Sequence, residues 1–175
     1  MNSLDSIHPD LLIAKNRAYE PAGLLPVNPV RENESREYAA AEFSMNERRI
    51  KFRSAKITPT KTGLFVTLWK RIGSGPIMPF DIEDPIDFFV ISVRKGDRLG
   101  QFVFPKDALL KEGALSQSGK GGKRAIRVYP TWDTTDSKQA QKTAAWQSVY
   151  FFEIPPFEQP DLNKIRQLFH LSPVK

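Results

Sequence analysis

The sequence predicts an α+β domain, a single mostly antiparallel or mixed sheet of about six strands flanked by helices. Three observations predict it. Residues 48–53 set Ile50 and Phe52 between Arg49, Lys51 and Arg53, the period of two of a half-buried strand. Five further apolar runs, at 64–69, 88–93, 101–104, 125–129 and 149–154, are bounded by Gly, Pro or Asp and are rich in aromatic and β-branched residues, as strands are. The helical stretches fall in runs and not after every strand, which argues against a doubly wound fold.

A chain of 175 residues is long enough to bury a real core and short enough to be one domain. Its 40% hydrophobic and 11% aromatic content separates it from disordered chains. It has no cysteine, which excludes a disulfide framework and a Cys-based metal site. The two histidines, His8 and His170, lie at opposite ends, which argues against a His-rich zinc site and a His-based triad. No apolar run reaches the length of a membrane span. Asp5, His8, Pro9 and Asp10 interrupt any signal-peptide core in residues 1–17. The expectation is a cytoplasmic protein without membrane attachment, of open oligomeric state.

Taken in order, His8-Pro9-Asp10 opens a helix that runs to about Arg17, since Pro suits a first helical position and Asp the positive end of the dipole. Pro21, Pro26 and Pro29 then make residues 20–33 an extended arm, so 1–33 read as helix plus arm. The segment 34–155 forms the main domain. A helix over 36–43, capped from residues 33–35, carries Tyr38, Ala41 and Glu42. The strand 48–53, a turn at 58–63 and a buried strand at 64–69 follow. The Gly-Ser-Gly-Pro loop at 73–76 lacks the Lys-Ser/Thr of a phosphate-binding loop. Asp81, Glu83, Asp84 and Asp87 form the one acidic concentration. A hairpin joins 88–93 to 101–104; a short helix spans 107–112. Another helix spans 137–147, and Pro155-Pro156 ends the body. Residues 156–175 hold a C-terminal helix with Leu162, Ile165, Leu168 and Phe169 on one stripe, packed on the domain.

Charge supplies the functional lead. The net charge is +6, and residues 48–71 hold eight Lys and Arg with no Asp or Glu. Cations held on a rigid sheet suit a large anion, so the partner implied is nucleic acid, DNA or RNA. The candidate contacts are Arg53, Lys56, Lys61, Lys70 and Arg71, then Lys123, Arg124 and Arg127, with Trp132 available to stack on a base. The competing reading is a solvated strand face, with the tryptophans in the core. The loop Lys120-Gly121-Gly122-Lys123-Arg124 is expected to be open in the free protein and ordered by an anionic ligand.

Residues 55–71 (AKITPTKTGLFVTLWKR), 100–106 (GQFVFPK) and 122–133 (GKRAIRVYPTWD) resemble the MepB-like family. The similarity spans roughly 34–154. The resemblance implies a compact α+β fold and points further to restriction-endonuclease-like nucleases. Such nucleases hold a metal with an Asp at the start of one strand and a Glu-x-Lys on the next. Asp87 is accordingly the candidate metal ligand, with Glu42, Gln101 and Lys106 as further catalytic candidates. Gln101 stands where the Glu belongs and Val103 where the Lys belongs. The expectation therefore leans to binding without catalysis and without a cofactor. Mg²⁺ enters only under the alternative of a divergent nuclease. A third alternative is a partner-binding or anionic-ligand protein that docks through the arm and the C-terminal helix.

Overall fold

In the computed structural model, which describes residues 7–172, a six-stranded mixed sheet divides the core into two halves. Its strands are β1 (Pro26–Arg31), β2 (Ala41–Met45), β3 (Arg48–Ser54), β8 (Phe88–Lys95), β9 (Arg98–Pro105) and β13 (Phe151–Ile154), in that spatial order. Between β3 and β8 the chain forms β4 (Lys56–Ile57), β5 (Leu64–Thr67), β6 (Trp69–Lys70) and β7 (Met78–Pro79). After β9 come α2 (Lys106–Lys111), β10 (Ser116–Gln117), β11 (Lys120–Gly121), β12 (Ala125–Val128) and α3 (Lys138–Ser148). The helices α1 (Pro9–Ala14) and α4 (Leu162–Leu168) lie near the two ends. The main sheet is antiparallel except where β3 runs parallel to β8. The α+β class read from the sequence is the class observed.

One face of the sheet presents Phe43, Ile50, Phe52, Phe88, Val90 and Val103 to α1 and α4. The other presents Phe89, Ile91, Val93, Phe102, Phe104 and Phe151 to a second layer. That layer is the three-stranded sheet β12-β5-β4 with α3 beside it. β8 and β9 are buried on both faces, which is why they read as unbroken apolar runs.

Two expectations for the N-terminal part are corrected. The Pro-rich arm is in part an edge strand: residues 26–31 pair with β2, with a bulge between Val27 and Val30. Pro26 and Pro29 belong at a sheet edge, where a missing N–H is harmless. The helix expected at 36–43 is a single 3₁₀ turn, Arg36–Tyr38, followed by β2. Ala41, Phe43 and Met45 alternate into the core, so the period is two and not 3.6. The N-terminal helix starts as expected, with the His8 side chain accepting from Asp10 N at 3.1 Å, and widens into a π turn over Lys15–Tyr19. Among the described residues no helix is long and apolar enough to cross a membrane.

Candidate functional site

A groove of about 680 Å³ lies between α3 and the outer sheet. Ala125, Ile126 and Arg127 of β12 and Phe65 of β5 contribute to its lining. Its far wall is the face of α3 bearing Gln139, Lys142, Thr143 and Trp146. Ser137 starts that helix, its hydroxyl accepting from Ala140 N at 3.0 Å. Trp146 is seated on Phe104, ring centroids 5.4 Å apart, which fixes the wall to the core.

Three lysines reach this groove from three elements. Lys61 comes from the 58–63 turn, Lys123 from the segment before β12, and Lys142 from α3. None of them has a carboxylate partner among the described residues. Glu112 is the single acid among the lining residues. Arg127 also lines the groove, but its guanidinium serves the turn: Nη2 donates to Thr58 Oγ1 at 2.7 Å and Nη1 to Thr62 O at 3.1 Å. It therefore sets the position of Lys61. Gly63 closes the same turn at φ +76°, where a Cβ would stand 2.7 Å from the Tyr129 ring.

The remaining basic candidates lie elsewhere. Lys56 is exposed on β4, with its ammonium 5.1 Å from the Tyr38 ring centroid. Arg124 donates to Ile77 O at 3.3 Å. Lys70 is ion-paired with Asp84 at 2.7 Å, and Arg71 with Glu34 at 2.8 Å. Arg53 is not at the surface at all. It is 2% exposed, paired with Glu32, and held by Phe52 O at 2.9 Å. The period of two puts Arg53 on the face opposite Ile50 and Phe52, the face expected to meet a ligand, but that face is covered by a second layer and not by water. Trp132 packs edge-on against Phe151, with the Arg98 guanidinium 4.9 Å from its ring centroid, so its ring is already engaged.

The carboxylate candidates are each engaged by the fold, and Asp87 and Glu42 both contact Arg49. Asp87 Oδ2 accepts from Arg49 N at 2.8 Å and so ties the start of β8 to β3. Gln101 is fully buried on the α1 side of the sheet, accepting from the Tyr19 hydroxyl. It pairs in register with Ser92, five residues beyond Asp87, a separation of roughly 16 Å along the strand. Lys106 begins α2, its N donating to Asp87 O at 3.3 Å. Glu42 lies on β2 and not on a helix, between Arg49 and Lys51. Burial pushes its carboxyl up, but the hydrogen bonds and charge of Arg49 and Lys51 outweigh this and hold it below its ordinary value. Among the described residues no three His, Asp or Glu side chains are placed to share a metal.

The Gly-rich loop is a small hairpin, not an open connection. Ser116 and Gln117 pair with Gly121 and Lys120. Asp81 anchors it, accepting from Ser116 Oγ at 2.7 Å and Gly119 N at 3.1 Å. Hydrogen bonds from Glu83 N, Ser116 and Gly119 N hold the Asp81 carboxyl below its ordinary value. Three of the four acids of this segment are thus consumed by structure, Asp81 here, Asp84 on Lys70 and Asp87 on β3.

Sequence reasoning missed Lys142 as a groove cation, although it sits four residues from Trp146 on one helix face. It also missed Glu32, whose role depends on a pairing between distant strands.

A family model described as MepB-like matches residues 32–153. The crystal structure of MepB superposes with a TM-score of 0.72 at 32% identity, covering 84% of this chain and 97% of that one. A bacterial homing endonuclease aligns at 17% identity with a TM-score of 0.39, over 79% of this chain and 88% of that one. No curated protein matches.

Proposed function

Because the chain belongs to the MepB-like family and carries a cationic groove at one end of its second layer, we propose that it binds nucleic acid, DNA or RNA, by its phosphate backbone. The observation that carries this reading is the convergence of Lys61, Lys123 and Lys142 on one groove without carboxylate partners. Surface lysines are normally scattered or paired; three unpaired ammonium groups around one concave surface repel one another and are relieved by a polyanion. A phosphate strand supplies closely spaced charges, and its release of counterions adds to affinity. Arg127 and Gly63 fix the turn that carries Lys61, so the charges are held before a ligand arrives. Phosphate contacts of this kind position a strand without reading its sequence.

The test is fluorescence anisotropy with a labelled duplex and a labelled single strand at low salt. The triple variant Lys61→Ala, Lys123→Ala, Lys142→Ala should bind at least about tenfold more weakly while melting normally. Unaltered affinity in that variant would remove the groove from the account.

A further inference from the structure

A second cavity, of about 350 Å³, lies between residues 31–35, the buried side of β3, and the segment from Trp69 to Arg71. Arg53 lies at its inner end. Its Nη1 donates to Glu32 and to Phe52 O, but its Nε has no acceptor among the described residues. A buried guanidinium N–H without an acceptor is costly, and cavities that leave one open are suited to an anion. Arg31, exposed at the mouth, has no carboxylate partner among the described residues.

Lys51 and Arg71 each take a carboxylate from one short segment, residues 32–34. Lys51 bonds Glu32 at 2.6 Å and Glu42 at 3.1 Å; Arg71 bonds Glu34 at 2.8 Å. Aromatic rings locate the same groups: Arg71 stands 5.5 Å from the Trp69 ring centroid and Lys51 stands 5.7 Å from that of Phe80. Lys70, though on the wall, is engaged by Asp84. Glu32 and Glu34 therefore satisfy cations that face a cavity large enough for a further group.

We propose that this cavity binds a phosphomonoester through Arg31, Arg53, Arg71 and Lys51, and that Glu32 and Glu34 hold Lys51, Arg53 and Arg71 until the phosphate displaces them. Guanidinium groups grip phosphate through paired N–H donors, and a phosphate dianion carries the charge needed to replace two carboxylates. The phosphate belongs either to a free mononucleotide or to the end of a strand. The site is independent of the groove, with no cation in common.

The experiment is calorimetric titration of the whole protein with inorganic phosphate, adenosine 5′-monophosphate, and a 5′-phosphorylated trinucleotide beside its 5′-hydroxyl form. We expect saturable binding of a phosphorylated probe and none of the hydroxyl control. Arg31→Ala with Arg71→Ala, both at exposed positions, should weaken it about tenfold or more, by loss of charge-assisted bonds, with the melting transition retained. Glu34→Gln should tighten it, and Lys61→Ala with Lys123→Ala should leave it unchanged. Binding of the mononucleotide assigns a free ligand; binding of the trinucleotide alone assigns a strand end. The proposal is overturned if no phosphorylated probe binds, if Arg31→Ala with Arg71→Ala binds as wild type does, if Glu34→Gln gains nothing, or if the loss appears in the groove variant instead.

Discussion

Gln147 bonds the backbone of Tyr129 across the groove, its Oε1 accepting from Tyr129 N at 2.8 Å while its Nε2 donates to Arg127 O at 2.8 Å. One carboxamide thus caps the open edge of β12 and sets the distance from α3 to the outer sheet. It is 1% exposed, so neither bond is replaceable by water. Gln147→Ala leaves the half-buried Tyr129 N–H and Arg127 C=O without their side-chain partner and should cost about 1–3 kcal/mol in urea unfolding, with weakened nucleic-acid binding even though no cation is lost. A neutral effect on both would mean that α3 is held by Trp146 alone.

The Arg53–Glu32 pair is asymmetric, and so are its variants. Glu32 has a second partner in Lys51 and is partly open to water; Arg53 has Glu32 as its one ion-pair partner among the described residues and is enclosed. Burial pushes the Arg53 guanidinium pKa down, and the charge of Glu32 offsets this in part. Glu32→Ala strands a buried cation and should cost about 3–5 kcal/mol; Arg53→Met, which fills the space without charge, should cost clearly less. Equal costs in chemical denaturation would contradict this reading.

Much of the fold was legible because its signals are local. The alternation around Ile50 and Phe52, the apolar runs of β8 and β9, and the turn at Gly63 each encode their own element. The misread helix at 36–43 shows the limit. Glu37, Ala40, Ala41 and Glu42 favour a helix by propensity, but pairing with β3 overrides it. Arg53 shows another limit: a period of two places it on a face, and only the long-range packing of β5 and residues 31–35 reveals that the face is covered. The groove cations were readable as charges, whereas their convergence depended on where α3 lands.

Glu42 gives a pH signature. Its folded-state pKa lies below the ordinary 4.5, so its ion pairs stabilise the fold fully above that value and are lost as pH falls through the folded value. Between about pH 5 and pH 3 the wild-type protein should lose stability more steeply than Glu42→Gln, which has no such proton to take up. Melting curves recorded across that range decide it; parallel slopes would assign Glu42 no share.

The two adjacent glycines of the small hairpin should behave differently. Both sit at positive φ, +76° for Gly121 and +84° for Gly122. Only Gly122 is also crowded, since a Cβ there would stand 2.6 Å from Pro79 Cβ and 2.8 Å from Ser116 N. Gly122→Ala should lower the melting temperature by about 4 °C or more, and Gly121→Ala by less. The stability-neutral outcome expected of an open loop would instead show that the hairpin is not held by Asp81.

The central claim is that Lys61, Lys123 and Lys142 meet phosphates in one groove. The measurement that tests it most directly is the salt dependence of nucleic-acid affinity. The logarithm of the association constant should fall linearly with the logarithm of salt concentration, by about 0.9 per duplex phosphate neutralised. Replacing Lys61 and Lys123 together by Ala should flatten that slope by about one to two such units. Affinity indifferent to salt, or a slope unchanged in the double variant, would contradict the account.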